Sequence, residues 1–102
     1  MEDVIVKKIH YKSGELYTEI PFSGDGEQHG IVKYYFKSGK IEAEIPYVNG
    51  VKHGVQKYYY ESGKLEEEAT FVNGERHGVE KWYYKNGKLG CVTTFVNGVK
   101  LK

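Results

Sequence analysis

The sequence has a single cysteine, little proline and no long hydrophobic run. Among its 102 residues, Cys91 is the only cysteine, and there are two prolines. Cys91 has no partner for an internal disulfide bond, which favours a reducing compartment. No apolar run reaches the ~18 residues of a membrane-spanning helix, and the acidic start Met1-Glu2-Asp3 is unlike a signal peptide. These absences predict a cytoplasmic protein with one domain over residues 1–102.

An excess of charge of one sign is also missing. Lys and Arg number 15, and Asp and Glu number 14. This near-balance argues against a strongly basic nucleic-acid-binding protein and against an acidic tail protein. The chain is instead rich in glycine, with 13 residues, and in tyrosine, with 10. Their regular placement is unlike that of a low-complexity linker.

A repeat of 24 residues runs through the chain. Asn-Gly occurs at 49–50, 73–74 and 97–98, and His-Gly occurs at 29–30, 53–54 and 77–78. The sequence YYFKSGK at 34–40 recurs as YYYESGK and WYYKNGK, and an earlier copy is offset by 25 residues. A fixed period of this kind indicates a repeat architecture. We divide the chain into four repeats at residues 5–28, 29–52, 53–76 and 77–102.

Within each repeat, short segments rich in Val, Ile and aromatic residues alternate with turn sequences. The segments 31–37 and 40–48 are two examples, bounded by Ser-Gly and Asn-Gly. Such segments are typical of β-hairpins, and no stretch shows the 3.6-residue period of a helix. The sequence therefore predicts an all-β fold, a meander of hairpins in a single elongated antiparallel sheet. One hairpin turn is expected in each repeat, at Ser13-Gly14, Ser38-Gly39, Ser62-Gly63 and Asn86-Gly87.

The order His-Gly, aromatic residues, Gly-Lys and then Val-Asn-Gly resembles the MORN repeat (membrane occupation and recognition nexus) in its bacterial variant. Four copies cover nearly the whole chain. The resemblance implies a ladder of β-hairpins that serves as an interaction or membrane-proximal module, with no cofactor. Bacterial relatives often carry an antitoxin label (YwqK-type). Others carry a phosphatidylinositol phosphate kinase label taken from plant kinases, which would come to this chain through the repeats alone.

Two-residue turns at Ser38-Gly39 and Asn49-Gly50 would set the strand pairing. The expected pairs are then Phe36/Ile41, Tyr34/Ala43, Lys33/Glu44, Ile41/Tyr58, Glu42/Lys57 and Ile45/Gly54. Because side chains alternate between the faces of a sheet, one face collects the apolar residues, including Ile41, Leu65, Leu89 and Cys91. The candidate partner-binding residues on this predicted apolar face are Tyr34, Phe36, Tyr47, Tyr58, Tyr60, Phe71, Trp82, Tyr84 and Phe95.

The other face, the mixed face, collects charges and tyrosines. Lys57 is expected between Glu42 and Glu68, with Lys33 opposite Glu44 and Lys81 opposite Glu66. Opposite charges across strands each stabilise by roughly 0.2–1 kcal/mol. Tyr35, Tyr59 and Tyr83 lie beside these lysines and suggest a base-stacking platform. However, the glutamates neutralise the charge that binding of nucleic acid or anionic lipid requires.

Other patterns have a structural interpretation. His29, His53 and His77 recur about two strands apart, roughly 10 Å, which is too far for one zinc ion. We expect them to hydrogen-bond backbone at the loops. The glycines that follow them would lie opposite Ile20, Ile45 and Ala69, with Tyr47 or Phe71 covering the bare backbone.

Three more patterns contain residue types that occur at catalytic or phosphate-binding sites. Glu67 and Glu80 would face one another as a carboxylate pair, but no cleft is expected over them. Cys91 would lie opposite Trp82 as a small core residue. The glycine-rich segment 24–30 lacks the spacing and the helix of a phosphate-binding loop.

The sequence therefore favours a non-catalytic module for protein–protein interaction or scaffolding. One antiparallel sheet leaves its apolar face without a second layer, so we expect another protein or a second copy of the chain to cover it. A homodimer is the simplest such assembly. The alternative is a binding platform for an extended ligand or a membrane-surface lipid. The residues distinguish no metal site and no catalytic group.

Overall fold

The computed structural model describes residues 4–102, so the acidic start at residues 1–3 lies outside the described part. Within that part the chain forms eleven strands and no helix. The strands are β1 (Ile5–His10), β2 (Leu16–Phe22), β3 (Gly30–Tyr35), β4 (Ile41–Val48), β5 (Val51–Lys52), β6 (Gly54–Tyr59), β7 (Leu65–Val72), β8 (Glu75–Arg76), β9 (Gly78–Tyr83), β10 (Leu89–Val96) and β11 (Val99–Lys100).

All strands belong to one open antiparallel sheet. Its order is β1-β2-β3-β4-β6-β7-β9-β10-β11, with the short β5 and β8 paired to β4 and β7. The predicted all-β meander is therefore confirmed. Nine strands in a row, each rotated by about 20–25° against its neighbour, accumulate a twist of about half a turn. The sheet measures 41 × 31 × 21 Å along its principal axes.

The Asn-Gly turns have two residues, as expected. Val48 is paired with Val51 across the turn Asn49-Gly50. Asn49 has a φ of 48° and Gly50 a φ of 85°. Positive φ at both central residues is what the type I′ hairpin turn requires, and Asn-Gly is its favoured sequence. The turns at 73–74 and 97–98 repeat this conformation.

The Ser-Gly turns occur where they were predicted, but they have three residues rather than two. Phe36 N–H donates to the carbonyl of Lys40, and Gly39 N–H donates to the carbonyl of Phe36, each at 2.9 Å. Gly39 has a φ of 94°. This is the three-residue hairpin loop in which glycine takes the left-handed position. The same bonds recur at the loops around Gly14, Gly63 and Gly87.

A β-bulge follows each of these loops and compensates for the extra residue. Tyr35 is opposite Ile41 and Tyr34 is opposite Ala43, which leaves Glu42 unpaired. The expected pair Phe36/Ile41 is therefore wrong, whereas Tyr34/Ala43 is confirmed. The equivalent unpaired residues in the other repeats are Tyr17, Glu66 and Gly90.

The bulge also changes which face some side chains occupy. An unpaired residue interrupts the strict alternation of a strand. Ile41 and Leu65 are opposite Tyr35 and Tyr59, so they lie on the mixed face and not on the predicted apolar face. Leu89, opposite Tyr83, is corrected in the same way.

Between repeats, the register is shifted by two residues from the one expected. Ala43 is opposite Tyr58, and Glu44 is opposite Lys57. The expected pairs Ile41/Tyr58, Glu42/Lys57 and Ile45/Gly54 are therefore wrong. The shift arises after β5, where the chain passes through His53 into β6. Because the side-chain period of a strand is two, a two-residue shift leaves each side chain of β6 on its expected face.

The core lies on the face that carries Val32, Ala43 and Ile45, which are 1%, 1% and 6% exposed. Tyr34 and Tyr58 pack against it, together with Ile20 and Tyr47. No second layer covers these residues in the described part of the chain, so neighbouring rings on the same face bury them. We call this surface the aromatic face.

The repeat histidines join consecutive repeats. His53 Nδ1 accepts a hydrogen bond from the backbone N–H of Asn73 at 3.2 Å. Gly74 N–H donates to the carbonyl of Lys52 at 2.8 Å. His29 and His77 accept from the next Asn-Gly turns in the same way. Their interpretation as backbone-bonding loop residues is confirmed.

Candidate functional site

The aromatic face carries the nine rings that the sequence suggested as a binding surface. Strand pairing arranges them in three rows of three, and successive members of a row are two strands apart, about 9.5 Å. The rows are Phe36, Tyr60 and Tyr84; Tyr34, Tyr58 and Trp82; and Tyr47, Phe71 and Phe95.

Exposure of these rings rises toward the C-terminal end of the sheet. Phe71 is 6% exposed, whereas Trp82 is 40% and Tyr84 is 60% exposed. Glu66 and Glu67, which line the depressions around Tyr58, are replaced at the equivalent positions of the last repeat by the smaller Gly90 and Cys91. Cys91 lies opposite Trp82 as expected, but it is exposed and is not a core residue.

The third row lies opposite the repeat glycines. Gly30 is paired with Tyr47, Gly54 with Phe71, and Gly78 with Phe95. The expected partners Ile20, Ile45 and Ala69 are wrong, because of the register shift and because the glycines pair within their own hairpins. A Cβ on Gly54, whose φ is +121°, would lie 3.1 Å from Pro46 Cγ.

Two carboxylates that were expected on the mixed face lie on the aromatic face instead. Glu42 shares a depression of about 210 Å³ with Tyr17, Tyr34 and Tyr58. A larger depression of about 560 Å³ contains Glu42 and Glu66 together with Tyr58 and Tyr60. The bulge brings both glutamates among the rings. Strict alternation missed them, and the signal that could have found them is the three-residue Ser-Gly loop.

A buried polar cluster occupies the aromatic face between the third and fourth repeats. Lys52 Nζ donates to Gln56 Oε1 at 2.8 Å, and Gln56 Nε2 donates to Glu67 Oε1 at 3.4 Å. Gln56 and Glu67 are 3% and 4% exposed. Equivalent positions in the second repeat are the apolar Val32 and Ala43. The cluster is therefore a feature of the later repeats.

Glu80 belongs to the same cluster but has its own partners. Arg76 Nε donates to Glu80 Oε1 at 2.6 Å, and Trp82 Nε1 donates to Oε2 at 3.0 Å. Glu67 is opposite Trp82 and not opposite Glu80, so the expected facing pair is wrong. The reason is again the two-residue shift between repeats.

Burial is the main cause that raises the pKa of Glu67. Glu80 raises it further, whereas the hydrogen bond from Gln56 and the charge of Arg76 lower it. Desolvation disfavours the charged form of a carboxyl group. Glu67 is thus a carboxyl group that would gain from a cation placed beside it.

On the mixed face, charges of alternating sign cross the sheet in one row. Its members, strand by strand, are Lys8, Glu19, Lys33, Glu44, Lys57, Glu68 and Lys81. The expected pairing of Lys33 with Glu44 is confirmed. The expected position of Glu68 beside Lys57 is confirmed as well. Glu42 and Glu66, expected as partners of Lys57 and Lys81, are replaced by Glu44 and Glu68 because of the bulges and the shifted register.

Tyrosines of the mixed face bond two of these glutamates. Tyr35 donates to Glu19, and Tyr59 donates to Glu44 at 2.7 Å. The bond to Glu19 and burial raise the pKa of Tyr35 to about 12. Burial and then the bond to Glu44 raise the pKa of Tyr59 to about 12. Their hydroxyl groups are therefore held as hydrogen-bond donors.

Metal binding, membrane spanning and the glycine-rich segment are the remaining candidate features. Between residues 4 and 102, no three His, Cys, Asp or Glu side chains come together as a metal site would need. None of that stretch forms a helix long and apolar enough to cross a membrane. In the glycine-rich segment, Ser23 N–H donates to the carbonyl of Glu27 and Gly26 N–H donates to the carbonyl of Ser23.

The family comparison agrees with this geometry. The family model described as MORN repeat variant matches residues 28–49, 52–73 and 76–97. These segments make up well over half of the chain, which therefore belongs to the MORN repeat variant family. Residues 5–27 of the first repeat lie outside the matched residues. Searches of curated proteins and of solved structures found no match.

Proposed function

We propose that this chain is a non-catalytic protein–protein interaction module that binds its partner through the aromatic face. One observation carries the proposal: a single-layer sheet leaves its largest rings exposed, with Trp82 at 40% and Tyr84 at 60%. Stable domains bury such a face against a second layer, and a contiguous exposed apolar patch typically marks an interaction site. The nine candidate rings named above form the surface.

The simplest partner is a second copy of the chain, so we include a homodimer in the proposal. An antitoxin-like role, which the bacterial resemblance implies, is a second form in which the partner is a toxin protein. Glu42, Glu66 and Glu67 on the aromatic face favour a polypeptide over an anionic lipid surface, because like charges repel. The exposed thiol of Cys91 fits a reducing, cytoplasmic location.

Sedimentation velocity over a concentration series tests the homodimer. Replacing Tyr58 and Trp82 with Ser should weaken association, because large rings anchor interfaces. Tyr58 packs against the core and Trp82 bonds Glu80, so Tyr84→Ser is the cleaner variant. Val79→Ser, at a 44% exposed position of the mixed face, is the control and should leave association unchanged.

Affinity capture from the cells that produce the protein tests a different partner. We expect a captured protein whose yield falls with Tyr84→Ser and not with Val79→Ser. A wild-type chain that is monomeric at every concentration would exclude the homodimer. If, in addition, no captured protein depended on Tyr84, the proposed function would be wrong. Loss of association with Val79→Ser alone would mean that the mixed face is the interface.

A further inference from the structure

Three carboxylates on the aromatic face have no cationic partner in the described chain. They are Glu42 and Glu66, at the two bulges, and the buried Glu67. The ion pairs within 4.0 Å among residues 4–102 are Lys8–Glu19 and Arg76–Glu80, and neither involves these three. A module that presents free carboxylates among aromatic rings is suited to a cation, since both groups attract one.

Glu67 shows the strongest need for a partner. It is 4% exposed, and its one hydrogen bond within residues 4–102 is the 3.4 Å contact from Gln56. No side-chain oxygen in this part of the chain is both fully buried and unbonded. The second oxygen of Glu67 therefore opens into the depression of about 380 Å³ that Glu67 lines with Tyr58, Glu66 and Trp82, and with the side chains of Lys52 and Arg76.

Two of the three nearby cations of the chain, Lys52 and Arg76, already have partners. Lys52 donates to Gln56 and lies 4.8 Å from the centre of the Phe71 ring. Arg76 is bonded to Glu80 at 2.6 Å. Lys85 lines the larger depression and forms no ion pair within 4.0 Å among residues 4–102. Glu66 borders both depressions, and its carboxylate likewise has no ion pair in this part of the chain.

The spacing of these groups indicates the shape of the occupant. Tyr34, Tyr58 and Trp82 repeat every two strands, about 9.5 Å apart, as do Glu42 and Glu66. One turn of a polyproline II helix has three residues and rises about 9.3 Å. An extended β-strand presents equivalent side chains about every 6.7 Å, which does not match. Aromatic grooves are also known binding surfaces for polyproline II segments.

We propose that the aromatic face binds a polyproline II segment of a partner protein that carries Lys or Arg at every third position. Each basic side chain enters between rings of successive repeats and meets Glu42 or Glu66. This inference rests on the proposed function, because it specifies the chemistry of the partner that the same face binds.

Fluorescence anisotropy with a labelled twelve-residue peptide of Pro-Pro-Lys units tests the proposal. The full chain should bind this peptide with an affinity that falls as salt rises. A peptide of Pro-Pro-Glu units should not bind. A peptide of the same composition with its lysines contiguous has the same charge but the wrong spacing, and it should bind about tenfold more weakly, or about 1.4 kcal/mol.

Two double variants provide the matched comparison. Glu42→Gln with Glu66→Gln should weaken binding of the Pro-Pro-Lys peptide about tenfold. Glu44→Gln with Glu68→Gln removes the same charge two residues further along, on the mixed face, and should leave the affinity within about twofold. Circular dichroism confirms that both variants fold.

Three results would overturn the inference: no binding of the Pro-Pro-Lys peptide, equal binding of the contiguous-lysine peptide, or equal affinity of the two double variants. Failure here is separable from failure of the proposed function. If Tyr84→Ser still abolishes association or capture while the peptide does not bind, the interaction module stands and the basic occupant is wrong.

Discussion

Tyr83 differs in its bonding from Tyr35 and Tyr59, the equivalent tyrosines of the two preceding repeats, whose hydroxyls donate to glutamates. The Tyr59 hydroxyl donates to Glu44 at 2.7 Å. The hydroxyl of Tyr83, the equivalent residue one repeat later, makes no hydrogen bond within residues 4–102. A hydrogen bond to a carboxylate is stronger than one between neutral groups. The two positions therefore form a natural comparison of a bonded and an unbonded hydroxyl.

We expect Tyr59→Phe to lower the free energy of unfolding by about 1 kcal/mol at neutral pH. Tyr83→Phe should change it by much less, because its hydroxyl loses no partner. Urea unfolding of both variants beside the wild type measures the difference. Equal losses would contradict the bond between Tyr59 and Glu44.

The contribution of Tyr59 to stability has a predictable pH dependence. The pKa of Tyr59 is raised from 10.0 to about 12 in the folded state, so the folded state holds the proton more tightly than the unfolded state. The stability that the buried and hydrogen-bonded hydroxyl contributes is complete below pH 10 and is lost as the pH rises through about 12. The difference between the wild type and Tyr59→Phe should shrink over that range.

At the scale of the strands, the alternating charge row tests the register. Lys57 lies between Glu44 on β4 and Glu68 on β7, whereas Lys85 is exposed in the loop between β9 and β10. Lys57→Glu would place three negative charges side by side. Because like charges across strands destabilise by roughly 0.2–1 kcal/mol each, it should cost about 1 kcal/mol more than Lys85→Glu.

Midpoints of urea unfolding for these two variants provide the measurement. Low salt should enlarge the gap between them, because screening weakens interactions between exposed charges. If the midpoints coincide at low salt, Lys57 does not lie between two glutamates and the described register is wrong.

The strands also show where counting from the sequence succeeds and fails. The loops at Asn49-Gly50 and Ser38-Gly39 were located by their turn residues, because positive φ favours Gly and Asn. Loop length decides the register, and a Ser-Gly loop of three residues followed by a bulge keeps Tyr34 opposite Ala43. That compensation places Glu42 on the other face, which no local propensity reveals.

Over the whole molecule, stability is concentrated in the middle of the sheet. The buried apolar residues Val32, Ala43, Ile45, Ala69 and Phe71 all lie on β3, β4 and β7. Every residue of the edge strand β1 is exposed. In repeat proteins each unit is stabilised mainly by its neighbours, and the edge strands have the fewest.

Amide hydrogen exchange should therefore be slowest in β3, β4, β6 and β7 and fastest in β1 and in the part of β10 that pairs with β9 alone. Local opening is easiest where few apolar contacts must break. Exchange followed by mass spectrometry at peptide resolution tests this expectation. Uniform protection from β1 to β10 would show that the sheet opens only as a whole.

The sequence by itself determined the period, the turn positions, the all-β meander and the nine rings that share one face. These follow from local chemistry: positive φ at Gly and Asn, and alternation along a strand. Tertiary structure alone decided the two-residue shift between repeats, the position of Glu42 and Glu66 among the rings, and the separate partners of Glu67 and Glu80. These depend on an unpaired residue and on the passage from β5 to β6. Both are set by hydrogen bonds between neighbouring strands, and a repeating pattern of side chains fits more than one such register.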